Sequence, residues 1–153
     1  MLLDFDRSAR DFWDQIPVRL RVANVELLAT RHEDGTYEYS LPLLVCPFAA
    51  FGLACLRVAR KSGRAALELD DYANQLRFIM TGSEVTIDST RVGSAVCIPY
   101  DALFGAWKGF ASTVREIVSD RHPNRPYQWW SLLTDDPPHD VTKSVTRDYL
   151  FEG

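Results

Sequence analysis

The sequence predicts an α+β fold: an antiparallel sheet of about five to six strands, packed by one buried helix and one long amphipathic helix in the C-terminal half. Three observations predict it. Short alternating segments between Gln75 and Ile98 are separated by brief turns, as in a meander of strands. A helical apolar stripe follows them. The strict strand–helix alternation that marks a doubly wound parallel sheet is missing.

The N-terminal part is predicted to contain one helical turn and then an extended segment. The turn is expected over residues 6–15, where it would present Phe12 and Trp13. From Val18 apolar and basic residues alternate, and after Val22 the apolar phase shifts. Because side chains in a strand alternate with period two, this shift predicts a bulge or bend near residues 23–24.

A hairpin is predicted around Gly35, because the Asp-Gly pair at 34–35 tolerates the positive φ that tight turns need. The returning strand alternates from Tyr37 to Leu41. Residues 43–46 then stay apolar, which predicts deeper burial. All three cysteines, Cys46, Cys55 and Cys97, have apolar neighbours and are expected to be buried free thiols, Cys97 being inert in the middle of a strand.

The first helix is predicted to begin at Pro47, where the missing N–H is harmless, and to end at Gly63, which can adopt a left-handed cap. Apolar residues surround it on nearly every side, as in a buried helix. A further strand is expected over residues 65–69, before the meander.

The second helix is predicted from about Pro99 to Arg121. Apolar residues recur in it every three or four positions. Gly105 and Gly109, four apart, are expected to allow close packing of this helix on a strand.

The length of 153 residues suits a single domain, 1–153, with a core at 16–122 and a proline- and tryptophan-rich strap at 123–153. With 46% hydrophobic residues, the chain can bury a core without disulfide or metal support. The net charge of −4 argues against nucleic acid and anionic membranes as partners and is compatible with a basic protein. No signal peptide is recognisable, and prolines interrupt the apolar stretch 41–59, so a soluble cytoplasmic protein is expected.

The sequence shows no motif for catalysis, cofactor binding or metal binding. His32, His122 and His139 lack ligand spacing, no serine elbow or phosphate loop is present, and most acidic pairs adjoin turns or prolines. No catalytic, cofactor or metal residues are therefore expected, and a non-enzymatic role is the first hypothesis, although distant residues brought together by the fold could still form a catalytic site.

The strap contains the candidate partner-binding patch. Tryptophan and tyrosine are common at protein interfaces, and acidic residues favour a basic partner. The patch consists of Tyr127, Trp129, Trp130, Asp135 and Asp136. Packing of these aromatic residues on their own domain is the alternative.

The end of the predicted sheet carries a family resemblance. It contains EVTID (84–88) and VCIPYD (96–101), and a helix with Leu103-x-x-x-Trp107-x-x-Phe110 follows. Over about residues 18–122, this pattern and size resemble the small immunity proteins of bacterial polymorphic toxin systems. The resemblance implies a protein that neutralises a cognate toxin by direct binding, and the net charge of −4 is compatible with a basic toxin domain. The resemblance assigns no site residues.

Two other functions stay open. A concave sheet lined by Tyr37, Tyr39, Phe78 and Trp107 would hold an apolar ligand, as in a small-ligand-binding protein or an enzyme. A structural subunit that associates with itself is the third possibility.

Overall fold

The computed structural model of the chain describes residues 1–69 and 73–123. It confirms the α+β class: in the described residues two helices pack against antiparallel strands. The elements, in chain order, are β1 (Leu2–Phe5), β2 (Gln15–Val22), β3 (Val25–Glu26), β4 (Thr30–Arg31), β5 (Tyr37–Glu38), β6 (Leu41–Leu44), α1 (Val45–Ser62), β7 (Arg64–Glu68), β8 (Gln75–Thr81), β9 (Glu84–Ser89), β10 (Ser94–Pro99) and α2 (Tyr100–Arg121).

The strands are divided between two larger sheets and one short ribbon. In the first sheet β2 pairs with β1, β3 and β6. The second sheet has the order β10-β9-β8-β7, and β4 and β5 form the ribbon. All of these pairings are antiparallel. The two helices contact each other and both sheets, so the core lies between the helices and the inner sheet faces.

The N-terminus differs from its prediction. Residues 2–5 form a strand that pairs with β2, and residues 6–14 contain turns without a helix. Phe5 and Phe12 lie in the core, where their rings meet edge to face at 5.9 Å. The expected helical turn over residues 6–15 is therefore wrong, because burial of these two rings outweighs the weak local preference.

The phase shift at residues 23–24 is a chain reversal. Ala23 and Asn24 have φ values of 49° and 67°, and Val22 pairs directly with Val25 in the adjacent strand. Two successive positive φ values are typical of type I′ turns, whose twist suits a two-residue hairpin. The apolar pattern changes phase at this point because a new strand begins after a tight turn.

The meander and both helices follow the sequence pattern closely. Leu76, Phe78, Val85 and Ile87 alternate with exposed or partly exposed residues, as expected for a sheet with one buried face. The helix α1 is buried along most of its length, and it begins at Val45, two residues before the predicted start. Gly63 has a φ of 95° and donates its N–H to Ala59 O at 2.7 Å, so the predicted left-handed cap is confirmed.

The close approach between the helices occurs at Gly52, on α1. The indole of Trp107, on α2, is fully buried against it and donates its N–H to Ala49 O at 3.1 Å. Gly105 and Gly109 are exposed, and among the described residues no atom other than those of the adjacent helix backbone lies within 4 Å of a Cβ position there. The predicted packing role of these two glycines is wrong, because their side of α2 faces away from the sheets.

Candidate functional site

A groove of about 470 Å³ opens on the surface between the segment 25–39 and the connection from β9 to β10. Glu26, Arg31, Tyr37, Tyr39 and Arg91 supply its charged and aromatic lining. Val25, Ala29 and Val92 contribute apolar walls, and Ser94 completes the lining. We call this concavity the Tyr–Arg groove.

Hydrogen bonds beside the Tyr–Arg groove connect the segment 25–31 to β2, to the end of β9 and to the turn after β9. The buried hydroxyl of Ser89 donates to Leu27 O at 2.7 Å, and the N–H of Leu27 donates to Leu20 O at 2.8 Å. The guanidinium of Arg91 donates to Thr30 Oγ1 at 2.6 Å. The segment 25–31 is thus fixed to the turn between β9 and β10, although about 60 residues separate them in sequence.

The β4–β5 hairpin places two tyrosines at the rim. Its turn contains Gly35 with a φ of 87°, and Asp34 Oδ1 accepts hydrogen bonds from the hydroxyl and N–H of Thr36 at 2.6 and 2.9 Å. These bonds stabilise the charged carboxylate and lower the pKa of Asp34. Tyr37 and Tyr39 remain 57% and 51% exposed, although side chains of this size are normally more buried.

The acidic residue of the groove already has a cationic partner. Arg19 donates to both oxygens of Glu26, with nitrogen–oxygen distances of 2.7 to 3.2 Å, and these bonds raise the pKa of Arg19. The same guanidinium lies 4.9 Å from the ring centre of Tyr39, within the range of a cation–π contact. The pair therefore fixes the Tyr39 ring as well as neutralising Glu26.

A smaller apolar concavity, of about 120 Å³, lies at the other end of the first sheet. It is lined by Phe12, Trp13, Leu44, Cys46 and Pro47. The ring of Trp13 also contacts His122, with 5.1 Å between ring centres. None of the described residues that line it is charged, so it provides fewer polar contacts for a ligand than the Tyr–Arg groove.

The structure separates the predicted ligand-binding aromatic residues. Tyr37 and Tyr39 line the Tyr–Arg groove, whereas Phe78 and Trp107 are fully buried in the core with 6.1 Å between their ring centres. The predicted four-residue apolar surface is therefore wrong. Phe78 and Trp107 lie on the inner faces of β8 and α2, where they pack in the core.

The predicted partner-binding residues lie outside the described residues. These are Tyr127, Trp129, Trp130, Asp135 and Asp136. The strap predicted over 123–153 falls there too, apart from its first residue, as do His139 and the acidic pair at 70–71.

The cysteines divide into two kinds. Cys46 and Cys55 are buried thiols as predicted, and burial raises the pKa of Cys46 to about 12 and that of Cys55 well above its usual range. Cys97 is exposed, so its predicted burial is wrong: β10 is an edge strand, and Cys97 lies on its outer face. Its thiol donates to Glu84 Oε2 at 3.1 Å, which raises the pKa of Cys97.

The histidine of the β4–β5 hairpin pairs with an acidic residue, and no metal site or membrane-spanning helix is found in the described residues. His32 lies 3.2 Å from a carboxylate oxygen of Glu38 in the β4–β5 hairpin. Among residues 1–69 and 73–123, no three His, Cys, Asp or Glu side chains form a group that could hold a metal ion. Neither helix in this part of the chain is long and apolar enough to cross a membrane.

Sequence reasoning missed Arg31 and Arg91 as site residues. Both adjoin turns, and the turn around Gly35 is recognisable, but the proximity of the two arginines depends on contacts between segments far apart in sequence.

Comparison with known proteins adds no assignment: no protein family, curated protein or solved structure matches this chain.

Proposed function

We infer that this chain is a non-enzymatic protein-binding domain whose partner contacts the Tyr–Arg groove. One observation carries this proposal: two half-exposed tyrosines, Tyr37 and Tyr39, border a groove lined by Arg31 and Arg91. Tyrosine and arginine are enriched among the residues that dominate protein–protein binding energy, because they combine large contact area with directed hydrogen bonds.

The fixed geometry of the groove supports the same function. Ser89 and Arg91 tie its two sides together, and Arg19 holds the Tyr39 ring. A surface that is already ordered loses less conformational entropy on binding, so more of the contact energy is available as affinity.

The form of this function that we propose is immunity: the protein would bind a cognate toxin domain in the bacterial cytoplasm and neutralise it directly. The pattern-level resemblance of residues 18–122 supports it. The net charge of −4 supports a toxin with a basic surface, because opposite charges accelerate association. The partner-binding patch formed by Tyr127, Trp129, Trp130, Asp135 and Asp136 stays a prediction.

The test is an affinity capture from lysate of the source organism, using the tagged full-length chain and mass spectrometry. A stoichiometric partner retained by wild type and lost from the Tyr37→Ala and Tyr39→Ala variants supports the proposal. Ile79→Ala is the matched control, because Ile79 is an apolar side chain 41% exposed on the other sheet. No stoichiometric partner for the folded wild type, or equal capture by all variants, contradicts it.

Binding of a small ligand is the second candidate. A volume of about 470 Å³ falls within the range of known ligand sites, and polar groups converge on the groove. A ligand that binds only the folded state raises the melting temperature. A screen of metabolites by thermal shift therefore tests this candidate, and a hit abolished by Tyr37→Ala would place the ligand in the groove.

A further inference from the structure

The Tyr–Arg groove has a local positive charge on a chain whose net charge is −4. Its lining contains three charged residues, Glu26, Arg31 and Arg91. Because Glu26 is paired with Arg19 by three short hydrogen bonds, its negative charge is already compensated. Arg31, which is exposed, therefore presents its positive charge to an occupant of the groove.

The two arginines are placed differently. Arg91 is partly buried, and its bond to Thr30 keeps the guanidinium at the wall of the groove. Arg31 is exposed in β4, and within residues 1–69 and 73–123 its side chain has no ion-pair partner. A guanidinium binds carboxylates through paired N–H donors with a planar geometry, which gives both strength and specificity.

The rest of the lining suits a peptide that carries such a carboxylate. Tyr37 and Tyr39 have exposed rings, and their hydroxyl groups can donate hydrogen bonds to a carboxylate oxygen of the peptide. Val25, Ala29 and Val92 offer apolar walls for neighbouring side chains. The occupant that fits this combination has an acidic residue next to apolar ones.

We propose that the Tyr–Arg groove binds an acidic peptide segment of the partner protein, with Arg31 receiving its carboxylate. This rests on the proposed protein-binding function and adds the chemistry of the recognised segment. The charge of the groove is opposite to that of the chain, so the site recognises a local acidic loop even where the partner is basic overall.

The test uses a library of fluorescent nine-residue peptides with an Asp-Glu centre between apolar residues, and twins in which Asn-Gln replaces that centre. Titration of the full-length chain is followed by fluorescence anisotropy. We expect acidic members to bind about tenfold more tightly than their twins, as for a charge-assisted hydrogen bond. Raising the salt from about 0.05 M to about 0.5 M is expected to weaken binding.

The variants identify the site. Arg31→Ala is expected to weaken binding of the acidic peptides about tenfold. Arg64→Ala removes the same charge from an exposed position on β7, outside the groove lining, and is expected to leave the affinity unchanged. Tyr37→Ala gives a second, uncharged perturbation. Circular dichroism establishes that each variant is folded.

Three results would overturn the inference: equal binding of acidic peptides and their amide twins, equal effects of Arg31→Ala and Arg64→Ala, or Arg31-dependent binding of single-stranded RNA without binding of acidic peptides. The inference and the proposed function fail separately. A captured partner that acidic peptides do not displace leaves protein binding intact and removes this role of the groove. If acidic peptides bind but no protein partner is captured, the role of the groove in peptide binding stands and the proposed protein-binding function fails.

Discussion

Substitution of Gly52 by alanine tests the contact between the two helices. A Cβ at this position would lie closer than 3.0 Å to three atoms of the Trp107 indole. The indole cannot shift easily, because Phe48, Phe78 and Phe110 surround it with ring-centre distances of 5.0, 6.1 and 6.4 Å. Gly52→Ala is therefore expected to separate the helices or displace the indole.

The expected loss of stability follows from three contributions. Overpacking of a well-filled core costs about 1–3 kcal/mol. Weakening of the indole hydrogen bond to Ala49 O adds about 0.5–1.5 kcal/mol. The higher helix propensity of alanine relative to glycine offsets about 1 kcal/mol of this loss. Because the surrounding rings leave little room, we expect a net loss of about 2–3 kcal/mol, or a melting temperature lowered by roughly 5–10 °C.

Urea denaturation and thermal melting measure this loss. Gly105→Ala and Gly109→Ala are matched controls in α2, since in the described part of the chain only the adjacent helix backbone lies within 4 Å of a Cβ at either position. Each control is expected to gain about 0.5–1 kcal/mol. In the Gly52→Ala background, Trp107→Phe should cost less than it does in wild type, because the smaller ring relieves the overlap. The reasoning is refuted if Gly52→Ala is as stable as the Gly105→Ala variant.

Three further predictions concern individual contacts. Ser89→Ala removes the donor to the buried carbonyl of Leu27 and is expected to lower the free energy of unfolding by about 1–3 kcal/mol; an unchanged urea midpoint would contradict this. Ala23→Asn relieves a residue with a φ of 49° and is expected to raise stability by about 0.5–1 kcal/mol in the same assay, whereas a loss would show that the turn is not strained. Alkylation of the native protein should modify Cys97 before the buried thiols. Because Glu84 raises the pKa of Cys97, Glu84→Gln is expected to shift the pH profile of the alkylation rate to lower pH. An unshifted profile would exclude the hydrogen bond between Cys97 and Glu84.

The elements that the sequence predicted well have strong periodic signals. The strands β8, β9 and β10 alternate clearly, and α2 carries an apolar stripe over its whole length. The cap at Gly63 was predictable because a glycine follows cationic residues at the end of an apolar segment. In these cases local pattern and tertiary packing favour the same conformation.

The elements that were predicted incorrectly depend on contacts with distant residues. Leu2–Phe5 is a short strand, and it is recognisable only once β2 is present to pair with it. Cys97 is exposed because side chains alternate along β10 and Cys97 shares the outer face with Ala95 and Pro99; the apolar residues on both sides of Cys97 do not reveal this face in the sequence. Gly52, rather than Gly105, has the close contact because only the packing of α1 on α2 brings the indole there.

The candidate site was less predictable than the fold. The tyrosines of the β4–β5 hairpin were recognised as candidate ligand residues, but they were grouped with core residues that the topology places elsewhere. Arg31 and Arg91 come from segments 60 residues apart, and no local pattern relates them. Two hydrogen bonds connect these segments: Ser89 donates to Leu27 O, and Arg91 donates to Thr30 Oγ1.

The packing of Trp107 on Gly52 has a consequence for how the sequence can vary between related proteins. A larger residue at the position of Gly52 is compatible with this helix pair only when the position of Trp107 carries a smaller one, so the two positions are expected to change together. The same holds for Ala49, whose carbonyl receives the indole N–H and whose side chain is fully buried. A glycine in a buried helix paired with a tryptophan 55 positions later is thus a signature by which distant members of this fold can be recognised.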